Sequence, residues 1–269
     1  MNLFLVVIIL GVVQGLTEFL PVSSTGHMIL VERFIKSGIT DSFRELFLAI
    51  VQLGSIFAVI IYFWNMINPF VKNKKVRNKK FILWLKIGVA ILPTVLVGLK
   101  FDDIIDAYFM KNIVIIAATL IFYGIVFILV ECYYKNIEPE VNDIDKISFM
   151  KAFAVGLFQC LALIPGTSRS GATIIGGLLL GLSRAVAAEF TFLLAIPTMF
   201  GATLLKLLKS GLNFTKEEWI LLGVGTLVSF IVSYVVIRWF MGYIKKKSFI
   251  PFGIYRIILG IVVLLSVFL

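Results

Sequence analysis

The chain has 269 residues, of which 60% are hydrophobic and 15% carry a charge, and its mean hydropathy is +1.05. A soluble domain has about half its residues apolar and about a quarter charged, so this composition excludes an ordinary soluble protein and indicates an integral membrane protein. The net charge of +10 does not indicate a nucleic-acid partner, because Lys and Arg cluster in short connections at 72–80 and 245–247. Cytoplasmic loops of membrane proteins show this pattern, and such lysines also contact anionic membrane lipids.

The N-terminal segment, residues 1–16, is apolar but barely long enough to cross a bilayer, which takes about 20 residues. No Lys or Arg precedes Arg33, and the segment runs directly into Glu18, so we expect mature structure and not a signal peptide. A polar break at 21–26 follows, and a second short helix is predicted at 24–36. Two short helices around such a break predict a re-entrant hairpin, because irregular backbone at membrane depth must be buried in protein or line a wet cavity.

Three full spans are predicted next, at residues 43–64, 81–99 and 111–133. The connection 65–80 holds six Lys or Arg and no acidic residue, whereas 100–110 holds three Asp and one Lys. The positive-inside rule therefore places the first connection in the cytoplasm and the second outside. A polar linker at 134–148 then lies inside and divides the chain near its midpoint.

The second half of the chain has the same organisation. A short apolar segment at 149–163 is broken by Pro-Gly-Thr-Ser-Arg-Ser-Gly-Ala-Thr at 165–173, and a second short segment runs to residue 182. Three further spans are predicted at 185–208, 218–241 and 251–269. Several residues match between the halves at a spacing of 144 or 145: Gly11 with Gly156, Gln14 with Gln159, Pro21 with Pro165, Ser24 with Ser168, and Glu45 with Glu189.

These matches predict a single all-α polytopic membrane domain with an inverted-topology repeat, six spans and about ten helical segments. Each half, residues 1–133 and 149–269, has a re-entrant helix hairpin plus three transmembrane helices. Because three is odd, the second half starts from the opposite side, so the two hairpins enter from opposite faces and their breaks meet near the midplane. Three spans in each half, together with the cytoplasmic position of the basic connection, predict that the first hairpin opens outward and that both termini lie outside.

The first break carries the only carboxylate of the first 30 residues, Glu18, and the only histidine of the chain, His27. An ionisable group at membrane depth is by default a functional-site candidate. Gln14 and Glu18 share a helix face and predict a site for Mg²⁺ or Ca²⁺, the alternative being an interhelical hydrogen bond. His27 suits a general acid/base or a nucleophile, or else a structural role, and Ser24 suits the N-cap of the second helix.

The second break places four hydroxyl groups and one arginine, Arg169, within nine residues ahead of an apolar helix. A helix N-terminus offers free N–H groups to an anion, and the guanidinium fork matches two phosphate oxygens. A capped helix with an arginine that reaches the membrane surface is the alternative, but it explains one hydroxyl and not four. A carboxylate, a histidine and a cation that face an anion site are suited to phosphoryl transfer on a lipid phosphate or diphosphate.

The segments QGLTEFLPVSSTGH and PGTSRSGAT resemble the two signature motifs of the undecaprenyl-diphosphate phosphatases, the bacitracin-resistance (BacA-type) family of bacteria. The resemblance implies a phosphoric anhydride hydrolase that converts undecaprenyl diphosphate to undecaprenyl phosphate and inorganic phosphate. This reaction recycles the lipid carrier for peptidoglycan synthesis. The resemblance also implies dependence on Mg²⁺ or Ca²⁺, a multi-pass location in the bacterial plasma membrane, and an active site that faces the outer side.

The residues and the resemblance together predict a set of site residues. The predicted catalytic residues are Glu18, Ser24, His27 and Arg169; the diphosphate-binding residues are Ser23, Thr25, Gly166, Thr167, Ser168, Arg169, Ser170 and Thr173; and the metal ligands are Gln14 and Glu18. The family often has Glu where this chain has Gln14, which removes one charge from any metal site. Ser24 is expected to attack the terminal phosphorus with Glu18 or His27 as base, although direct attack by His27 or by a metal-bound water also fits.

A transporter or flippase for undecaprenyl phosphate or another lipid phosphate is the alternative function. Inverted repeats with broken helices at the midplane are common in transporters, so the fold alone does not exclude it. An acid/base pair that faces an anion site favours the enzyme. The sequence leaves the oligomeric state open, a homodimer included.

Overall fold

The computed structural model describes residues 2–35, 40–108, 112–210 and 214–266. These residues form eleven α-helices: α1 (Leu3–Thr17), α2 (Ser24–Ile35), α3 (Asp41–Tyr62), α4 (Trp64–Ile67), α5 (Lys74–Tyr108), α6 (Ile113–Tyr134), α7 (Phe149–Cys160), α8 (Arg169–Leu179), α9 (Arg184–Ser210), α10 (Lys216–Ile244) and α11 (Ile250–Leu265). Two 3₁₀ turns lie at Ile144–Lys146 and Leu161–Leu163. Within the described ranges a single backbone bridge, Val141 to Leu182, is the one β-type pairing, so the all-α prediction is confirmed.

Five helices are long and apolar enough to cross a membrane: α3, α5, α6, α9 and α10. The shorter apolar helices α1 and α7 are the first arms of the two predicted hairpins. The sixth predicted span corresponds to α11, which has 16 residues, and the last part of that prediction, 267–269, lies outside the described residues. The chain is therefore a multi-pass membrane protein.

Helix α5 is much longer than the span predicted at 81–99. It runs for 35 residues, so the basic residues from Lys74 onward form its first turns and the aspartates of the predicted outer connection belong to its last turns. Charged residues lie outside the hydrocarbon region, so they limit the length of a membrane span. Lys, Arg and Asp do not by themselves end a helix, which therefore continues beyond the span. Residues 109 and 110, which complete that predicted connection, and residue 111, which opens the next predicted span, lie outside the described part of the chain.

Polar side chains fix the starts of several helices. Asn112, Ser148 and Thr215 each accept a backbone N–H from the first turn of α6, α7 and α10 respectively. At α10 the cap is reciprocal, because Glu218 also accepts from the Thr215 N–H at 2.8 Å. These caps satisfy N–H groups that have no partner within the helix.

The helix pairing has a two-fold pattern. The first arm of each hairpin packs on the middle long helix of the other half, α1 on α10 and α7 on α5, while α3 packs on α9 and α6 on α11. At the α6–α11 contact, a Cβ atom on Gly124 would lie 2.7 Å from the carbonyl oxygen of Gly253, and one on Gly253 would lie 2.7 Å from that of Gly124. An inverted repeat requires helix contacts that occur in corresponding pairs, as these do. The boundaries of the two repeats stay a prediction.

The two breaks have the same backbone geometry at serine. Ser23 and Ser168 both have positive φ, 69° and 72°, in a region that non-glycine residues rarely occupy. Each accepts an N–H on its Oγ, from Gly26 at 3.4 Å and from Gly171 at 3.2 Å. Ser23 and not Ser24 therefore holds the cap position, and the pairing of Ser24 with Ser168 was wrong. The second break has one more residue between its proline and its capping serine, which shifts the register by one.

The basic connections meet at one end of the bundle. Lys79 pairs with the Asp145 carboxylate at 2.9 Å, and Lys86 donates to the Asp145 carbonyl at 2.7 Å, so the start of α5 lies against the polar linker. At the same end, Arg184 binds the buried Glu131 carboxylate through Nε at 2.9 Å and Nη2 at 2.6 Å. Basic residues of α5 and α9 therefore meet acidic residues of the linker and of α6 at this end, and the side of the membrane on which it lies stays a prediction.

Candidate active site

A cavity of about 200 Å³ lies between the two breaks. Both halves of the chain contribute to its lining: Glu18, Ser23, Ser24, Thr25, Gln52, Ala162, Ile164, Pro165, Gly166, Ser168, Arg169, Thr198, Met199 and Ala202. The structure thus brings the two polar segments of the sequence together around one cavity, although they are separated by 144 or 145 residues in the chain.

The Glu18 carboxylate is the centre of this cavity's polar contacts. It follows α1 directly and is only 8% exposed. Its Oε2 accepts from Ser24 Oγ at 2.9 Å and from Gln14 Nε2 at 2.7 Å, and its Oε1 accepts from Arg169 Nη2 at 3.2 Å. Three donors from both halves therefore compensate a charge that would be costly to bury alone.

Arg169 is the first residue of α8, so its side chain starts at a helix N-terminus. Its other terminal nitrogen, Nη1, donates to the Thr191 carbonyl of α9 at 3.3 Å. The guanidinium is thus held between the carboxylate of the first hairpin and the main chain of α9. A helix N-terminus and a guanidinium both favour a nearby anion, and Arg169 brings the two together at the cavity lining.

Three hydroxyl groups of the second motif are buried behind the cavity and do not line it. Ser170 Oγ donates to the carbonyl oxygens of Leu20 at 3.1 Å and Glu18 at 3.4 Å, which ties α8 to the first break. Thr173 Oγ1 donates to the Arg169 carbonyl at 2.9 Å and accepts from Thr191. Thr167 is fully buried. Ser168 and Gly166 line the cavity, and so do Ser23 and Thr25 of the first motif.

His27 faces away from the cavity lining. Its Nδ1 lies 2.8 Å from the Ser23 carbonyl and its Nε2 lies 2.6 Å from the Tyr255 hydroxyl of α11. A carbonyl can only accept, so Nδ1 donates and Nε2 accepts from the Tyr255 hydroxyl. In this arrangement the imidazole supports the strained main chain of Ser23, while the hydroxyl of Ser24 is the one in contact with Glu18.

The protein groups around Glu18 form only part of a cation site. Among the described residues no cluster of three or more His, Cys, Asp or Glu is present, and Gln14, 2% exposed, lies behind Glu18 with its Nε2 on the carboxylate. Mg²⁺ often binds through one or two carboxylates and completes its shell with water and substrate phosphates. Glu18 with the nearby hydroxyl groups fits that arrangement, whereas a site closed by protein ligands alone does not form here.

Several residues that the sequence interpretation did not single out belong to this region. Gln52 of α3 and Thr198 of α9 line the cavity, and Arg256 of α11 lies fully buried behind both breaks. Each is a polar residue within an apolar helix, and Arg256 is the only charged residue of the span predicted at 251–269. The cost of an ionisable group at membrane depth, which identifies Glu18 as a candidate site residue, identifies Arg256 as well.

The contacts describe a hydroxyl beside a base and near an anion site. Ser24 can pass its proton to Glu18 across a 2.9 Å hydrogen bond, which is the usual way to activate a serine nucleophile. Arg169 and the N-terminus of α8 can bind and stabilise a phosphoryl group close by. The arrangement suits phosphoryl transfer more than simple anion binding, which needs no base at the hydroxyl.

Comparison with known proteins agrees with this geometry. The family model described as bacitracin resistance protein BacA matches residues 7–262. The undecaprenyl-diphosphatase of Fusobacterium nucleatum subsp. nucleatum is 58% identical over 97% of this chain and 100% of that protein. Undecaprenyl-diphosphatase 1 of Clostridioides difficile is 54% identical over 97% and 95%, and an Enterococcus faecalis undecaprenyl-diphosphatase is 51% identical over 96% and 95%. The chain therefore belongs to the bacitracin resistance protein BacA family.

Proposed function

We propose that this chain hydrolyses undecaprenyl diphosphate to undecaprenyl phosphate and inorganic phosphate, which returns the lipid carrier to peptidoglycan synthesis and confers bacitracin resistance. The observation that carries the proposal is the Glu18 carboxylate, 2.9 Å from Ser24 Oγ and 3.2 Å from Arg169 Nη2, inside a cavity built from both halves. The names of relatives at 51–58% identity support the same substrate.

The cavity accepts the diphosphate head group and not the prenyl tail. Its volume of about 200 Å³ is below the range of about 300–1,000 Å³ that encloses a drug-sized ligand. A tail of eleven isoprene units therefore lies outside it, along the apolar surface of the helices and in the surrounding lipid. Arg169, Ser168 and the N–H groups at the start of α8 bind the terminal phosphate.

Ser24 Oγ attacks the terminal phosphorus, and its proton passes to Glu18. The bond from phosphorus to the bridging oxygen breaks, and undecaprenyl phosphate leaves with that bond's electron pair. Water then attacks the phosphorus of the phosphoserine and the bond from phosphorus to Ser24 Oγ breaks. Inorganic phosphate leaves with the water oxygen, and Glu18 returns its proton to Ser24 Oγ, which keeps the electron pair of the broken bond. His27 keeps the Ser23 turn in place through the contact at 2.8 Å.

A divalent cation, Mg²⁺ or Ca²⁺, is proposed as cofactor. Glu18 would hold it together with oxygens of the diphosphate. When bound, the ion offsets phosphate charge and polarises the phosphoryl oxygens.

We place the protein in the bacterial plasma membrane with the cavity open to the outer side. The basic start of α5 and the linker lie at one end of the bundle, where Lys79 meets Asp145, and the positive-inside rule assigns that end to the cytoplasm. The first hairpin then enters from the opposite, outer face. Diphosphate released by cell-wall polymerisation would reach the site from there.

The test is release of inorganic phosphate from undecaprenyl diphosphate by the purified protein in detergent, with Mg²⁺, with Ca²⁺ and with EDTA. The expected result is turnover with at least one cation and its loss in EDTA. No release under any cation condition, by a protein that still binds the substrate, would overturn the hydrolase and favour lipid phosphate transport.

A further inference from the structure

Arg256 of α11 contacts the main chain of both breaks at once. Its guanidinium donates to the Pro21 carbonyl at 3.2 Å in the first break, and to the Gly166 and Thr167 carbonyls in the second, both at 2.9 Å. The side chain is 0% exposed. One buried cation therefore joins the two halves of the site from behind.

The charge of Arg256 has no carboxylate partner. Glu18 is the carboxylate of the cavity and it pairs with Arg169, whereas none of the ion pairs between described residues includes Arg256. Its guanidinium instead lies over the ring of Tyr123, 5.9 Å from the ring centre. Glu18 and Arg169 cancel, so the net positive charge of the centre comes from Arg256.

Arg256 also sets the direction of the peptide groups in the second break. A trans peptide unit is planar and its N–H points opposite to its C=O. Because Arg256 holds the Thr167 carbonyl, the N–H of Ser168 points away from Arg256, and Ser168 lines the cavity. Without this contact a carbonyl oxygen could turn toward the bound anion and repel it.

The position is special to one half of the repeat. Arg256 lies three residues after Gly253, and the residue three after Gly124, its partner glycine on α6, is the apolar Phe127. Both side chains pack on Gly171, where an added Cβ would lie 3.1 Å from Arg256 Nη1 and 3.3 Å from Phe127 Cε2. The corresponding position of α6 thus packs on Gly171 with an apolar side chain, so the contact between the two helices does not itself call for a guanidinium.

We propose that Arg256 is a positioning residue for diphosphate hydrolysis, which aligns the two breaks and gives the site the net positive charge that binds the diphosphate. The inference rests on the proposed function for its substrate. Inorganic pyrophosphate is the probe, because it carries the diphosphate group without the prenyl tail.

The experiment compares the full-length wild type with Arg256→Lys, which keeps the charge and loses the fork, and Arg256→Gln, which loses the charge. Arg184→Gln is the matched control, since it removes another guanidinium contact, to the buried Glu131 carboxylate, and neither residue lines the cavity. Three quantities are measured for each variant at one fixed Mg²⁺ concentration: the dissociation constant of pyrophosphate by calorimetry, kcat and KM for undecaprenyl diphosphate, and Tm in detergent.

We expect pyrophosphate affinity to fall at least about tenfold in Arg256→Gln, which loses the positive charge. In Arg256→Lys the charge remains, so the affinity should stay within about threefold of wild type. We expect kcat to fall at least about tenfold in both, because neither reproduces the three carbonyl contacts. Arg184→Gln should lower Tm and leave pyrophosphate affinity unchanged.

Equal pyrophosphate affinity in wild type and Arg256→Gln would overturn the inference. An equal loss of pyrophosphate affinity in Arg256→Lys and Arg256→Gln would overturn it as well. The same loss of affinity in Arg184→Gln would assign the effect to general destabilisation. If Arg256→Gln does not fold, wild-type kcat in a folded Arg256→Lys overturns the positioning role. A wild type that binds pyrophosphate and releases no phosphate refutes the proposed hydrolase, while the affinity comparison still decides the role of Arg256.

Discussion

Replacement of Arg169 by lysine tests the anion clamp without removing its charge. The guanidinium uses two nitrogens on two different elements, Nη2 on Glu18 at 3.2 Å and Nη1 on the Thr191 carbonyl at 3.3 Å. A lysine ammonium can keep one of these contacts and still pair with Glu18, so the hairpins stay joined. It cannot present two parallel donors to a phosphoryl group.

The expected loss follows from the hydrogen bonds that are removed. A hydrogen bond to a charged group contributes about 1.5–3 kcal/mol, and 1.36 kcal/mol corresponds to a tenfold change in rate. Loss of one such bond in the transition state predicts a fall of about 10- to 150-fold in kcat/KM for Arg169→Lys. The measurement is the initial rate of phosphate release at several concentrations of undecaprenyl diphosphate.

Arg184→Lys is the matched control for that variant. It makes the same substitution at another guanidinium with two donating nitrogens, where Arg184 binds Glu131 through Nε and Nη2 beside the polar linker. Arg184→Lys should lower Tm and leave kcat/KM close to wild type. Near-wild-type kcat/KM in Arg169→Lys, or an equal loss in both variants, would refute the clamp.

Three further predictions concern the base, the cation and the linker. Glu18→Gln should reduce kcat by at least about a hundredfold, because general-base catalysis contributes about 10²–10⁴; a normal rate of phosphate release would exclude Glu18 as the base. EDTA should abolish phosphate release and excess Mg²⁺ or Ca²⁺ should restore it; unchanged activity in EDTA would exclude the cation. The Lys151 ammonium lies 2.5 Å from the Glu140 carboxylate and lowers the pKa of that carboxyl. The ion pair therefore stabilises the folded protein at pH values above the ordinary Glu pKa. This stabilisation is lost as the pH falls through the lowered pKa of Glu140. Glu140→Gln should therefore lower Tm slightly at pH 7 and match wild type in strong acid, and a Tm difference that persists in acid would contradict the pair.

Much of the site follows from the cost of charge at membrane depth. Glu18 and Arg169 stand out in the sequence because hydrocarbon does not tolerate an unpaired ion, and the structure joins them at 3.2 Å. The short helices around each break predict the hairpins for the same reason, since free N–H and C=O groups must find partners inside the protein. The same rule applied to α11 would have selected Arg256.

Other features depend on contacts between distant parts of the chain, which the local sequence does not contain. His27 faces Tyr255, 228 residues away, and nothing in the first break indicates which side of α2 meets α11. The cap falls on Ser23 and not Ser24, which the positive φ of Ser23 and the N–H that its hydroxyl accepts from Gly26 reveal and the sequence motif does not. Helix α5 continues past its predicted ends because charged residues mark the membrane boundary without breaking a helix.

The nucleophile is tested most directly by trapping the phosphoenzyme. Undecaprenyl diphosphate labelled in its terminal phosphate is mixed with excess wild-type protein and quenched within one turnover in SDS at neutral pH, where phosphoserine and phosphohistidine both survive, and the labelled residue is located. Ser24 Oγ, 2.9 Å from Glu18 Oε2, should carry the label, and Ser24→Ala should carry none and release no phosphate. Label on His27, or phosphate release by Ser24→Ala at the wild-type rate, would contradict the serine mechanism.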